Sequence, residues 1–197
     1  MAPAALAGDS GGLRSPTRLL FLGDIVGRAT RRALRARLRS VRKEHGVDFV
    51  VGNGENAAAG HGIDPDSTEE LLDAGIDVLT TGNHVWKFPA IVEILERESR
   101  LLRPANFPIG NPGRGWTVQE ARNGRRIGVM NLIGRAFMGP CDCPFRTADA
   151  ILSEIGSRAD VVFVDMHAET TSEKSAMAWY LDGRVAAVVG SHTHVQT

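Results

Sequence analysis

The chain has 197 residues, of which 43% are hydrophobic, and this length and composition predict one domain with a real core. Lys plus Arg equals Asp plus Glu at 23 each, so net charge gives no general reason to expect a nucleic-acid or membrane-surface partner. The only two cysteines, Cys141 and Cys143, exclude a disulfide framework and favour a reducing, cytoplasmic setting. No apolar run reaches the roughly 18 residues of a membrane span.

The first 17 residues are small and rich in Gly, Pro and Ser, and we expect a disordered leader at 1–17 and the domain at 18–197. The domain alternates predicted strands and helices, which indicates a layered α/β fold. The predicted strands are at 18–22, 48–51, 76–80, 126–132, 161–164 and 185–189, and the last is buried and ended by Gly190. The predicted helices are at 29–45, 67–73, 89–98, 151–155 and 172–181, of which the second starts with a capping box at 67–70. Irregular or edge structure is predicted at 103–124.

Potential metal ligands follow five of these predicted strands. Because ligands bind at the carboxyl ends of strands in open α/β sheets, we expect these side chains at the same edge of one sheet. In an extended backbone, the histidines of the last motif, His192 and His194, would point to one side. Each motif alone fits a turn, a cap or a hydrogen-bonded histidine, but five together favour one metal centre. The seven candidates are Asp24, Glu55, Asn56, Asn83, His167, His192 and His194.

The candidate ligands also narrow the kind of metal. Imidazole, carboxylate and amide groups without thiolate suit Mn, Fe or Zn. Seven ligands are too many for one ion, which favours a pair of divalent ions sharing Glu55. Two such ions stabilise both the attacking and the departing oxygen of a phosphoryl transfer.

These motifs, in this order, resemble those of the calcineurin-like metallophosphoesterases: GD (23–24), GNGEN (52–56), GNH (82–84), His167 after a strand, and GSHTH (190–194). The longer strings GENAAAGHGI (54–63), VLTTGNHVW (78–86), HAETTSEK (167–174) and YLDGRVAAVVGSHTHVQT (180–197) resemble more closely the YmdB-like branch, described as metal-dependent phosphodiesterases acting on cyclic nucleotides. The resemblance implies a layered α/β/β/α sandwich of mixed sheets. Relatives continue past the H-x-H motif, so we expect closing strands to be missing at the C-terminal end.

The resemblance also implies roles for single residues. Val26 stands where the wider superfamily has the histidine of its D-x-H motif, and in the YmdB-like branch the amide beside the bridging glutamate, here Asn56, takes that place. His84 is then left free as the general acid that protonates the leaving oxygen. The implied ligand sets are Asp24, Glu55, Asn56 and His194 for metal 1, and Glu55, Asn83, His167 and His192 for metal 2.

Substrate contacts are less specific in the sequence. Eight of the 23 basic residues lie in 28–43, a run that usually forms a solvated helix face, and Arg28, nearest the metals, is the candidate for steering a phosphate. His61, in the glycine-flanked GHGI stretch, is a candidate pocket residue. Trp86 and Trp179 are expected in the core rather than stacked on bases.

The resulting hypothesis is a phosphodiesterase with two divalent metals, Fe or Mn with Zn as a third option. We expect it to hydrolyse a 2',3'-cyclic nucleotide or a short RNA-derived ester, by attack of a hydroxide held between the metals. A phosphatase or nuclease of the same fold stays open. So do a non-catalytic regulator that binds RNA or a protein, and assembly into a homo-oligomer.

Overall fold

The computed structural model describes residues 16–195, so the predicted leader lies outside it except for Pro16 and Thr17. Among these residues, no helix is both long and apolar enough to cross a membrane. The described residues form seven strands and five α-helices. They are β1 (Leu19–Leu22), α1 (Gly27–Glu44), β2 (Phe49–Asn53), α2 (Pro65–Ala74), β3 (Val78–Thr80), α3 (Ile91–Arg97), β4 (Trp116–Glu120), β5 (Arg126–Ile133), α4 (Pro144–Ile155), β6 (Val161–His167), α5 (Thr171–Tyr180) and β7 (Ala187–Ser191).

The strands form two sheets, whereas the sequence led us to expect all the ligand-bearing strands in one. The first is parallel, in the order β1-β2-β3, and the second has the order β4-β5-β6-β7. In the second sheet only β4 runs antiparallel to its neighbour, and β5, β6 and β7 are parallel. The expectation of a single sheet was wrong because alternation of strands and helices does not say where one sheet ends and the next begins.

The two sheets pack face to face, and helices cover their outer faces. In β2, Phe49 and Val51 join a buried cluster with Phe163 of the second sheet, while Val50 points the other way into a cluster with Leu38 of α1. Successive side chains of a strand point to opposite faces, so one strand serves both layers. A third cluster joins α4 and α5 to the second sheet. This arrangement confirms the α/β/β/α sandwich.

Helix α1 largely follows its sequence pattern. Leu38 is buried and Leu34 packs against the same cluster, as the apolar spacing predicts. Arg42 is an exception to the prediction that the basic residues of this helix form a solvated face, because its side chain is buried. Its guanidinium donates to the carbonyl oxygens of Gly75 and Asp48 and pairs with Asp77 at 2.9 Å. Most of the other basic side chains of the helix are exposed.

Two helix predictions were wrong at their starts. Helix α2 begins at Pro65, because Asp64 is its N-cap and accepts a hydrogen bond from the Ser67 backbone N–H at 2.8 Å. Ser67 is therefore the fourth residue of that capping box and not its first. Helix α4 begins at Pro144, well before the predicted 151, since proline is tolerated in the first turn of a helix.

The C-terminal region also differs from prediction. Strand β7 is shifted to 187–191 and is the last strand of its sheet, with Val188 and Val189 only half-buried. Gly190 lies inside the strand and does not end it. Trp179 is 81% exposed, so its expected place in the core was wrong, whereas Trp86 packs against the core as expected.

Candidate metal centre

The candidate ligands of the metal centre come from both sheets. Asp24 follows β1, Glu55 and Asn56 follow β2, and Asn83 follows β3. His167 is the last residue of β6, while His192 and His194 follow β7. The carboxyl ends of the two sheets therefore converge on one place.

The Glu55 carboxylate is at the centre of this place. It is fully buried, with Oε2 lying 2.8 Å from His167 Nε2 and Oε1 lying 2.8 Å from His84 Nδ1. Neither oxygen accepts a hydrogen bond of good geometry from any described residue. Buried carboxylates without such partners are costly unless a cation neutralises them. The carboxylate also has no room beside it, because a Cβ on Gly82 would lie 1.6 Å from Oε2.

Three more candidate ligands surround Glu55 on the side of His167. Asn83 Oδ1 lies 3.2 Å from His167 Nε2, and the His192 ring packs edge-on against the His167 ring at 4.8 Å between centroids. Ligand atoms of Glu55, His167 and His192 all lie within 4.8 Å of one another. Carboxylate, amide and imidazole groups at this spacing fit a divalent ion of the Mn, Fe or Zn type.

The remaining candidate ligands are Asp24, Asn56 and His194. Asp24 Oδ2 lies 3.3 Å from His194 Nε2 and has no hydrogen bond among the described residues, while Oδ1 accepts from the His192 backbone N–H at 2.9 Å. Asn56 Oδ1 is 3.1 Å from His84 Nδ1. All seven predicted ligands are thus in the region where the strand ends converge.

The backbone of the H-x-H motif is not extended as predicted. His192 has φ 92° and His194 has φ 57°, so both residues adopt left-handed conformations in a turn. The rings consequently diverge: His192 Nε2 pairs with Glu169 at 2.9 Å, and His194 faces Asp24. The two histidines of the motif therefore face different carboxylates.

Burial and the nearby carboxylate act in opposite directions on His167. Burial alone would lower its pKa, but the Glu55 carboxylate, 2.8 Å from Nε2, outweighs burial, so the pKa is raised above the ordinary histidine value. Burial, with the neighbouring His167, lowers the pKa of His192. An imidazole that binds a metal must be unprotonated, so a metal ion would replace the proton of His167 Nε2.

The predicted substrate-side residues differ in position. The rings of His61 and His84 stack with centroids 4.5 Å apart and an interplanar angle of 15°, which places His61 at the site. His84 is part-buried and reaches both Glu55 and Asn56 through Nδ1. Arg28 is exposed in the first turn of α1, and its side chain makes no hydrogen bond or ion pair with another described residue.

A family model described as YmdB-like protein matches residues 20–197. The chain belongs to the YmdB-like family. It is 44% identical over 180 residues to the 2',3'-cyclic-nucleotide 2'-phosphodiesterase of Bacillus subtilis, a match that covers 91% of this chain and 68% of the relative.

Two solved structures resemble this YmdB-like chain closely. A hypothetical protein from Thermus thermophilus has a TM-score of 0.85 and 44% identity, with 92% of this chain and 69% of the other covered. A novel phosphatase from Mycoplasma pneumoniae has a TM-score of 0.83 and 33% identity, with 92% and 66% covered. The chain thus spans about two thirds of the length of these relatives. These matches confirm the predicted family and sandwich fold.

Several residues of this YmdB-like site were missed by sequence reasoning. Glu169 pairs with His192, and Lys174 donates from Nζ to Thr193 Oγ1 at 2.9 Å while its stem lies against Gly190. Burial lowers the pKa of the Lys174 ammonium. Both residues belong to the string HAETTSEK. Their contacts with the site could not be seen in the sequence, because polar residues of this kind are ordinary at the start of a helix such as α5.

The buried residue Asp165 was also missed. It is fully buried in β6 and burial raises the pKa of its carboxyl group. An acidic residue inside the apolar run VVFVDMH is the signal that could have found it, since buried carboxylates are rare unless hydrogen-bonded or paired. The cysteines lie outside the cluster of Glu55, His167 and His192, and Cys141 donates its thiol to the Gly134 carbonyl oxygen.

Proposed function

We propose that this chain is a metal-dependent phosphodiesterase whose substrate is a 2',3'-cyclic nucleotide or a short RNA-derived ester. Glu55 carries the proposal, because a fully buried carboxylate that lies between two imidazoles and has no well-formed hydrogen bond is suited to bind cations. The name of the B. subtilis relative supports this substrate class. The solved M. pneumoniae relative, described as a phosphatase, supports phosphate-ester chemistry more broadly.

Two ions would be held as the ligand positions suggest. Asp24, Glu55, Asn56 and His194 would hold one, and Glu55, Asn83, His167 and His192 the other. The ions would supply Lewis acidity toward a phosphoryl oxygen and an acidified water. Fe or Mn fits the mixed oxygen and nitrogen ligands, with Zn as the third option.

His84 is the residue we assign to proton transfer. Its Nδ1 lies 2.8 Å from Glu55 Oε1, so Nδ1 is held inside the site and Nε2 is left to face a substrate. A positioned acid is needed where the leaving group is a ribose hydroxyl, because an alkoxide is a poor leaving group. His61, stacked on His84, would limit the rotation of that ring and line the substrate side.

Arg28 is the candidate for attracting the phosphate from solution. Its guanidinium is exposed in the first turn of α1, where the helix dipole adds positive potential. The contribution would be to substrate capture and not to the reacting atoms. An RNA partner, assembly into a homo-oligomer and a cytoplasmic location stay predictions from the sequence.

The test combines metal binding with substrate choice. Purified, metal-stripped chain is titrated with Mn²⁺ by calorimetry, and turnover is then measured on 2',3'-cyclic AMP, bis(p-nitrophenyl) phosphate and p-nitrophenyl phosphate. Two bound ions and turnover of both diesters are expected. Turnover of the monoester alone would identify a phosphatase instead. A folded chain that binds no metal and turns over none of the three would support a non-catalytic regulator.

A further inference from the structure

A hydrogen-bonded group centred on Asp165 lies beneath the metal centre and has no role in the proposed reaction. Asp165 is two residues before His167 on β6, so both side chains point to the same face. The carboxylate accepts from Thr80 Oγ1 at 2.5 Å and from Asn53 Nδ2 at 3.0 Å, both in the first sheet. It also accepts from Ser191 Oγ of β7 at 2.6 Å. One buried carboxylate thus joins the two sheets under the site.

The protons in this group can be assigned from the donors and acceptors. Asn53 Oδ1 accepts from the Glu55 backbone N–H at 3.0 Å, which orients the amide so that its nitrogen faces Asp165. Ser191 has a single hydroxyl proton and donates it to Asp165. Its oxygen also lies 2.9 Å from His167 Nδ1, where it can only accept. Asn53 Nδ2, which can only donate, lies 3.2 Å from the same oxygen and 3.4 Å from His167 Nδ1. With Asp165 ionised, the shorter contact of Nδ1 with the Ser191 oxygen favours a proton on His167 Nδ1.

This proton position determines what His167 presents to the metal centre. With Nδ1 protonated, Nε2 is the nitrogen available as a ligand, and it faces Glu55 Oε2 at 2.8 Å and Asn83 Oδ1 at 3.2 Å. Those two oxygens are acceptors, so a metal ion placed among the three atoms would take the position that a proton on Nε2 would otherwise fill. Metal-binding histidines commonly donate their second N–H to a carboxylate or another acceptor, which fixes tautomer and ring orientation.

We propose that Asp165, acting through the Ser191 hydroxyl, is a positioning residue for His167. It keeps the proton on Nδ1, holds the plane of the ring and turns Nε2 toward the metal. The inference rests on the proposed function, because it concerns one ligand of the proposed centre. Loss of the Ser191 hydroxyl would leave Nδ1 without an acceptor of fixed position while all seven ligands remained.

The test compares Ser191→Ala with Thr81→Val as a matched control. Thr81 is equally buried and also donates from its hydroxyl, but to the Leu102 carbonyl oxygen outside the group. Calorimetric titration of the stripped chains with Mn²⁺ should show affinity for one of two ions reduced by about 10- to 100-fold in Ser191→Ala. Thr81→Val should keep both affinities, and Ser191→Thr, which retains the hydroxyl, should restore the lost one.

A second measurement reads the tautomer directly. Nitrogen-15 NMR of histidine-labelled, Zn²⁺-loaded protein should show His167 protonated at Nδ1, with Asp165→Asn losing that fixed state. Wild-type affinities in Ser191→Ala, or a proton on His167 Nε2 in the loaded protein, would overturn this inference alone if the wild type binds metal and turns over diesters. A wild type that binds no metal would overturn the proposed function and this inference with it.

Discussion

Gly82 offers the sharpest test of the metal centre, because its lack of a side chain leaves room for Glu55. A Cβ at position 82 would lie 1.6 Å from Glu55 Oε2 and 2.2 Å from His167 Nε2. Real Cβ atoms essentially never approach another heavy atom within 3.0 Å. Gly82→Ala must therefore displace two side chains that are both 0% exposed.

The expected loss can be estimated from the cost of overpacking. Extra methyl groups in packed interiors cost about 1 to 3 kcal/mol, occasionally more. Each 1.4 kcal/mol is a factor of about ten in an equilibrium constant. The two displaced side chains are proposed ligands, so the added methyl group should disturb the site as well as its packing. We therefore expect Mn²⁺ affinity to fall by up to about 100-fold and the melting temperature of the stripped protein to fall as well.

The matched control is Gly23→Ala. Gly23 precedes Asp24 as Gly82 precedes Asn83, yet a Cβ at position 23 would meet nothing within 4 Å. Calorimetry with Mn²⁺ and thermal melts of the stripped proteins should show near wild-type behaviour for Gly23→Ala and weakened metal binding for Gly82→Ala. If Gly82→Ala bound two ions at wild-type affinity, the placement of Glu55 and His167 around that glycine would be wrong.

Further outcomes follow from the same site. Glu55→Gln should abolish turnover more completely than loss of any other ligand, because one carboxylate serves both ions, as metal content and diester turnover would show. His84→Ala should retain both metals yet slow hydrolysis of cyclic nucleotides by about 10² to 10⁴, and slow nitrophenyl esters much less since nitrophenolate needs no proton. Arg35→Glu combined with Arg37→Glu should leave diester turnover unchanged at low and high salt, because both side chains are exposed. Mn²⁺ at 100 times its Kd should stabilise the wild type in denaturant unfolding by about 2.7 kcal/mol for each site that it fills, and chelator should remove that gain.

The sequence was informative wherever a local pattern decides structure. Apolar spacing in α1 predicted Leu38 in the core, and β-branched runs predicted most strands. It failed where two residues fit the same local rule, and where the rest of the fold decides burial. Asp64 was missed as the N-cap because Ser67, three residues later, also fits the capping rule. Trp179 was expected in the core because tryptophan is highly buried on average, and the sequence does not show that α5 leaves it exposed.

The candidate metal centre shows a similar contrast between what local sequence patterns predict and what the rest of the fold decides. The gathering of the candidate ligands at the strand ends could be predicted, since they follow strands and match family motifs, but the conformation that separates the two histidines of the H-x-H motif could not. Its left-handed residues, His192 and His194, are not glycines, and non-glycine residues rarely adopt that conformation. The conformation is accompanied by contacts from elsewhere in the chain, namely Asp24 with the His192 N–H and Lys174 with Thr193.

Drawing ligands from both sheets has an energetic consequence. Glu55 comes from the first sheet and His167 from the second, and their contact depends on the interface where Phe21 meets Phe163 with ring centroids 5.5 Å apart. A change that loosens this interface should weaken metal binding although it touches no ligand. Conversely, bound ions would hold the sheets together, because a ligand that binds only the native arrangement stabilises it. If the proposed centre is occupied, its metal affinity would therefore also measure how well the two sheets are packed.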